Sequence, residues 1–443
     1  MDKRTIAILV ALTALGVVLR VFWILHVPTR QLFDFATFLE TASNIFHGYG
    51  HSRDGNPIAW VGPGYSYSLA IFHRMMGSDD PFNAQILNVI LSSATLIMSG
   101  FVYSRWFFNS DNEDIKLCAA YGLTAVFPNL IAYNNTAGTE TLFLFLLVAL
   151  ILVRQYASPG RKQAAAMGVI CGLAALTKPF MLAYPAVAFA MWWMQGKNSR
   201  VSWTRTAVMA GVMLLVITPW TIRNYRAFDR FILISYNMGY NQLVNNNYAN
   251  ISGGWMPLEA VPMPDDLREQ IEYSLQDGRT IQEAYELEPL LGAQARHWMI
   301  RNPVAVGQLA VIRVQRTFFN GAGDISQWAM NDWDFPDDAV RGRRNMRFAE
   351  SLFDIIIYVS SAAGLLFMLK NLWPYIRDFF SPAYDNHLLN AENMVFIHIA
   401  FFVVIVAAFE GQERYNHPVL IFFVYAIVWL CSNTVSKSQT LKF

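Results

Sequence analysis

Charge is scarce in this sequence. Asp, Glu, Lys and Arg make up 15% of its 443 residues, against about a quarter in an ordinary soluble protein. With 54% hydrophobic residues and a mean hydropathy of +0.29, that deficit excludes a disordered chain, whose composition is polar and charged. The charge present is balanced, 33 basic against 32 acidic residues for a net +1, so there is no overall basic field for nucleic acid. Cysteine is almost missing as well. Cys118, Cys171 and Cys431 lie far apart inside apolar runs, which suits buried small hydrophobes and leaves no disulfide framework or zinc site. No internal repeat or low-complexity linker is visible, which argues modestly against an inverted-repeat transporter.

What the chain has in quantity is long apolar stretches. A membrane-spanning helix needs roughly 20 mostly apolar residues. Runs near 5–27, 83–107, 116–134, 138–157, 163–179, 180–196, 206–224, 351–373, 393–410 and 418–434 predict ten such spans. The first carries Arg20 and no small-residue cleavage site follows it, so a retained helix is expected. Basic residues set the orientation: Lys3, Arg4, Arg105, Lys116, Arg154, Arg161, Lys162, Lys197, Arg200, Arg205, Lys370, Arg377, Lys437 and Lys442 all fall on one side. By the positive-inside rule that side is cytoplasmic, and both termini with it. Three parts are expected: a membrane core 1–224 with a first outer loop 28–82, an outer loop or small domain 225–350, and C-terminal spans 351–443. Within the second part, Pro264 followed by Asp265 and Asp266 predicts a helix start.

The polar residues out of keeping with a lipid environment collect on the outer side. Asp34 precedes apolar positions 35, 38, 39, 42, 45 and 46, a spacing that predicts an amphipathic interfacial helix ended by Gly48. Asp34 either caps that helix or acts as a general base taking a proton from an incoming hydroxyl. Gly62-Pro63-Gly64-Tyr65 opens a second apolar stretch to residue 76, too short to cross. There Tyr65, Tyr67 and Trp60 fit an aromatic belt, and Tyr65 is also a candidate sugar or acceptor contact. Glu140 starts the fourth span, as a helix-dipole partner or as a support for Asp34 or an acceptor. Lys178 before Pro179, Arg223 in Pro219-Trp-Thr-Ile-Arg223-Asn224-Tyr225, and Arg414 in Glu413-Arg414-Tyr415-Asn-His417-Pro418 bring cations to the same side. Each alone can simply snorkel; together they are an inventory for an anionic headgroup, arginine being suited to phosphate by its planar fork. Asn237, in an amide-rich stretch with Asn241 and Asn245 to Asn247, reads equally as a sugar contact or as part of an Asn-rich turn. Trp328, Trp333, Asp332, Asp334, Asp337 and Asp338 farther on either close over an acceptor or are solvated loop. Asn134-Asn135-Thr136 and Asn250-Ile251-Ser252 are glycosylation patterns frequent by chance.

In their order, the Asp34 segment, Gly62-Pro63-Gly64-Tyr65, Gly172-Leu-Ala-Ala-Leu-Thr177-Lys178-Pro179, the Pro219–Tyr225 run and Arg414-Tyr415-Asn-His417-Pro418 resemble GT-C membrane glycosyltransferases. The similarity is to the group with protein O-mannosyltransferases and the lipid A aminoarabinose transferase. It implies an all-α polytopic fold with interfacial helices in the first outer loop. It also implies inverting transfer of a sugar from a polyprenyl phosphate to an acceptor (glycan, lipid or protein) at the outer face of a bacterial inner membrane, without a cofactor. Asp34 matches the family's first-loop base. An acidic pair is common there, whereas Phe35 follows Asp34 here, so the expected site holds no metal. Arg223, Arg414 and Lys178 are expected to bind the donor phosphate, and Glu140, Tyr65, Asn224, Tyr415 and Asn237 the sugar or acceptor. A transporter or flippase of a lipid-linked or anionic solute is the alternative, with Arg20 as its main intramembrane charge.

Overall fold

The computed structural model describes residues 2–332, 339–381 and 390–440. The apolar runs fold as helices: α1 (Lys3–His26), α2 (Asp34–Phe46), α3 (Gly64–Met76), α4 (Phe82–Trp106), α5 (Glu113–Val126), α6 (Pro128–Ala132), α7 (Thr139–Tyr156), α8 (Arg161–Thr177), α9 (Tyr184–Gly196) and α10 (Ser199–Phe228). Then come α11 (Met238–Asn245), α12 (Asp265–Ser274), α13 (Glu288–Arg301), α14 (Pro303–Phe318), α15 (Ala339–Phe380), α16 (Ala391–Ala408) and α17 (Leu420–Thr440). Among the described residues the one sheet is a two-stranded hairpin, β1 (Ser52–Arg53) with β2 (Asn56–Pro57). Its Asp54 and Gly55 both have positive φ, 47° and 81°, as a two-residue hairpin turn with right-handed strand twist requires.

Among the described residues, seven helices are long and apolar enough to cross a membrane: α1, α4, α7, α10, residues Asn345–Phe380 of α15, α16, and Glu413–Asn433, the turn before α17 with most of that helix. An eighth span is the pair Glu113–Val126 and Pro128–Asn135, bent by 52°. The protein is thus a multi-pass integral membrane protein, and on length and apolarity seven or eight of the expected ten spans pass among the described residues. Helices α8 and α9 have 17 and 13 residues, about 25 and 20 Å of α-helix against a hydrocarbon core of about 30 Å. Helix α1 exposes Ile6, Val10, Val18, Phe22 and Leu25, the all-round apolar surface of a helix in lipid.

The bend between α5 and α6 accounts for the intramembrane arginine. Pro128 starts α6 and has no N–H to continue the ladder, so the last carbonyls of α5 need other partners. Arg20, 1% exposed, donates from Nη1 to the Ala125 carbonyl at 3.1 Å and the Gly16 carbonyl at 2.8 Å, and from Nε to Ser92 Oγ at 2.6 Å. It is a cationic cap on a helix C-terminus, held by its own helix and two neighbours, α4 and α5.

Close backbone contacts draw the helix ends together at the rim away from Lys3. A Cβ at Gly62 would lie 2.4 Å from the Leu176 carbonyl, and one at Gly64 2.4 Å from Thr177 Oγ1. The Gly-Pro-Gly start of α3 therefore sits directly on the end of α8, next to Lys178. A Cβ at Gly138 would meet Phe35 at 2.4 Å and Glu140 Oε2 at 2.6 Å, so the start of α2 rests on the start of α7. From the 225–350 segment, buried Arg313 donates to the Ala407 carbonyl at the end of α16 (3.1 Å), to the Asn245 carbonyl (2.7 Å) and to Asn246 Oδ1 (2.8 Å). It fixes the entry to the 409–415 turn.

Some sequence expectations are corrected here. Tyr65 and Trp60 are core residues, 0% and 6% exposed, and only Tyr67, at 39%, suits an interfacial belt. Asn134, Asn135 and Asn250 are buried and unavailable for glycosylation. Cys171 alone of the cysteines is buried; Cys118 is partly exposed and Cys431 exposed.

Candidate functional site

Phe33, just before α2, has φ 50° and ψ −121°, a conformation a bulky side chain adopts only at a cost of about 1–3 kcal/mol. Phe33 is the N-cap of α2 and Asp34 its first residue, with no side-chain capping hydrogen bond. Its carboxylate accepts no backbone N–H; among the described residues its hydrogen-bond partner is Arg414, Nη2 to Oδ2 at 3.5 Å. The capping reading is therefore replaced by an ion pair across 380 residues of sequence. The Asp34 side chain is 39% exposed and that of Arg414 12%.

Arg414 is enclosed by rings. Its guanidinium carbon lies 5.2 Å from the Tyr415 centroid, 5.6 Å from Trp328 and 5.8 Å from Phe35, distances at which cation–π attraction acts. Trp328 meets Phe33 and Phe35 edge-on, at 6.0 and 5.6 Å, and so roofs the start of α2. The Tyr415 hydroxyl donates to Glu410 Oε2 at 3.0 Å, and Glu410 Oε1 accepts the Trp255 backbone N–H at 3.2 Å.

A second ion pair lies beneath the Tyr415 ring. Lys178 Nζ is 3.2 Å from Glu140 Oε1, with side chains 15% and 3% exposed, and 5.8 Å from the Tyr415 centroid. Glu140 lies within electrostatic reach of Arg414 and His417 as well. Along the rim, charge alternates Lys178, Glu140, Arg414, Asp34. The four come from the ends of α8, α7, the 413–419 turn and α2, which the glycine contacts above bring together.

Of the nine residues expected as base, phosphate ligands and sugar or acceptor contacts, Asp34, Arg414, Tyr415, Glu140 and Lys178 converge here, joined by Trp328, and four do not. Arg223 donates to the Ile58 carbonyl at 3.0 Å, to Asn224 Oδ1 at 3.1 Å and to the His51 carbonyl, and stacks on Trp220 at 4.7 Å. It pins the 51–58 loop rather than sharing a clamp with Arg414. Asn224, fully buried, holds the Ile232 and Ile234 carbonyls. Tyr65 donates inward to Asn88 Oδ1 at 3.3 Å, leaving no surface for a sugar. Asn237 accepts from Ser235 Oγ at 3.1 Å and leads into α11. Next to Arg223, burial first and the guanidinium second push His51 down to about 4, so its ring is neutral at pH 7.

The sequence reading passed over Asp324. It is fully buried, accepts from the Tyr133 hydroxyl at 2.6 Å and Asn129 Nδ2 at 3.2 Å, and has Glu413 as a like-charged neighbour. Burial pushes its carboxyl up to about 7. It stands immediately before the π-helical turn Ile325–Ala329 that carries Trp328, so it ties the roof of the site to the membrane core. Trp333, Asp334, Asp337 and Asp338 lie outside the described residues; Asp332 pairs with Arg30 at 2.5 Å. A cavity of about 520 Å³ lies at the opposite helix ends, bordered by Trp192, Gln195 and Arg205. Its described lining carries no acid that could serve as a base.

No family model matches the sequence, and no curated protein matches it. Solved structures do match in fold. The oligosaccharyltransferase AglB from Archaeoglobus fulgidus, in complex with an inhibitory peptide and a dolichol-phosphate, aligns over 99% of this chain and 52% of its own at 13% identity and a TM-score of 0.52. The Archaeoglobus fulgidus enzyme in its apo form aligns over 100% and 52% at 14% identity and a TM-score of 0.54. ArnT from Cupriavidus metallidurans bound to undecaprenyl phosphate aligns over 93% and 77% at 13% identity and 0.44. This chain spans about half the length of the oligosaccharyltransferase it matches. The fold is of the GT-C type.

Proposed function

We propose that this chain is an inverting glycosyltransferase that moves a sugar from a polyprenyl-phosphate donor to an acceptor hydroxyl. The reaction takes place on the extracytoplasmic side of a bacterial inner membrane, with both termini cytoplasmic. One observation carries the reading: a half-exposed carboxylate, Asp34, paired with a ring-enclosed arginine, Arg414, at the rim of a GT-C-type membrane fold. The fold neighbour solved in complex with a dolichol-phosphate supports a lipid phosphate as the donor class, and the alternation of basic loops supports the sidedness.

In this reading the acceptor hydroxyl gives its proton to Asp34 as its oxygen bonds to the anomeric carbon. The bond from that carbon to the phosphate oxygen breaks, and the electron pair leaves on the phosphate. The monoanionic diester becomes a dianionic lipid phosphate, and Arg414 stabilises the added charge with its fork of N–H donors. The base and the leaving group must lie on opposite faces of the sugar for inversion. Lys178 and Tyr415 back the cluster, and Glu140 holds Lys178. The roles of phosphate ligand for Arg223 and of sugar contact for Tyr65 and Asn224 are dropped, because those side chains are committed elsewhere. Arg20, the intramembrane charge of the transporter reading, caps the end of a broken helix.

The test is donor consumption. Purified protein in lipid nanodiscs, given radiolabelled polyprenyl-phosphate sugars and a membrane extract as acceptor, should release free polyprenyl phosphate, and Arg414→Gln should lose that release. Equal consumption by the Arg414→Gln protein contradicts the assignment.

A further inference from the structure

The Asp34–Arg414 contact creates a conflict with the reaction just described, on which this inference rests. Inversion puts the base and the phosphate ligand on opposite faces of a sugar ring, and the two carboxyl groups of inverting glycosidases stand roughly 6.5–9.5 Å apart for a comparable reason. Here the base and the phosphate ligand touch, at 3.5 Å. No sugar fits between them until the pair opens.

We infer that the ion pair is the donor-free resting state, and that the donor's phosphate opens it by taking Arg414 from Asp34. Three features favour exchange at this pair over its neighbour. It rests on one hydrogen bond at the outer limit of length, whereas the Lys178–Glu140 contact is shorter, at 3.2 Å, around a carboxylate only 3% exposed. Its carboxylate is 39% exposed and open to an incoming group. The rings of Phe35, Trp328 and Tyr415 hold the guanidinium whichever anion it binds, so Arg414 changes partner without losing its seat. Charge balances throughout. Before transfer the site holds the Asp34 carboxylate, the guanidinium and a phosphate diester of charge −1; after it, a protonated Asp34, the guanidinium and a phosphate of charge −2. The exchange leaves Asp34 without its cation only while donor is present, so the free base is exposed to the acceptor and not to idle solvent. The ligand is recognised as a phosphate monoester or diester, and its position at the bilayer rim makes it a lipid headgroup.

The test is the affinity of a short-chain polyprenyl monophosphate in nanodiscs, measured by calorimetry or fluorescence competition. A pair with a partly exposed carboxylate and a single 3.5 Å contact is worth about 0.2–1 kcal/mol, as for solvent-screened pairs. Releasing Arg414 by Asp34→Asn should therefore tighten binding by about 1.4- to fivefold while transfer is lost. In an Arg414→Gln background, Asp34→Asn should change affinity by less than the same substitution does alone; an equal gain there would be simple charge repulsion and would overturn the exchange. Unchanged or weaker binding by the Asp34→Asn single variant overturns it too, while leaving Asp34 as a base if transfer is still lost. Failure of the wild-type protein to bind the lipid would sink the proposed function along with the inference. Inorganic phosphate displacing the lipid at equal concentration would overturn the headgroup assignment.

Discussion

Lys178 and Glu140 offer the sharpest stability experiment, because their burial is unequal. Glu140 is 3% exposed and its Oε2 has no hydrogen-bond partner within the described residues, so Lys178 at 3.2 Å is its main compensation. Lys178→Met strands that carboxylate, and removing one member of a buried pair costs about 3–5 kcal/mol. Glu140→Gln strands an ammonium that is 15% exposed and can extend toward water, so a smaller loss of about 1–2 kcal/mol follows from the same principle. The double variant should recover most of the Lys178→Met loss. Denaturant titration in a fixed detergent, completed as a double-mutant cycle, reads the coupling directly. The double variant should also keep its affinity for polyprenyl phosphate, since Lys178 is committed to Glu140. Two near-neutral single variants with additive effects would refute the reasoning, and a double variant that folds but has lost lipid binding would restore Lys178 as a phosphate ligand.

Two further outcomes follow from the geometry. Asp324 has a folded-state value near 7 against about 3.9 unfolded, so the folded form holds its proton more tightly. Its cost is therefore absent below pH 4, grows as pH rises to about 7, and then levels off on the order of 4 kcal/mol. Asp324→Asn should accordingly melt higher than wild type at pH 8, with the gap shrinking toward pH 4; a gap independent of pH would contradict the burial argument. Arg223→Ala should cost about 2–4 kcal/mol through its lost carbonyl contacts and ring stacking. It should leave lipid-phosphate affinity within about twofold, and a tenfold loss (about 1.4 kcal/mol) would return Arg223 to the clamp.

The membrane class, the helix positions and the start of α2 at Asp34 were legible because each is a local signal: apolar length, and an acid at the start of an amphipathic stretch. The count of spans was not, because α8 and the 3₁₀ turn leading into α9 are apolar yet short. Arg223 and Arg414 looked equivalent in sequence, each an arginine in an aromatic turn at a helix end. Which of them meets Asp34 depends on Gly138 admitting Phe35 and on Arg313 holding the end of α16, contacts between distant segments with no periodic trace. Asp324 was invisible for the same reason: its partners Tyr133 and Asn129 lie 191 and 195 residues away. Tyr65 was misjudged because an aromatic at an interfacial helix reads as belt, while the glycines beside it in fact seat that helix against α8 and turn the ring inward.

The most direct measurement of the central claim is sugar transfer by Asp34→Asn, with folding verified by an unchanged elution profile and melting temperature. The asparagine keeps the shape of the side chain and removes its capacity to take a proton. The account predicts loss of transfer by at least a hundredfold, the lower end of what a positioned general base contributes, about 10²–10⁴. Transfer within a few-fold of wild type would contradict it.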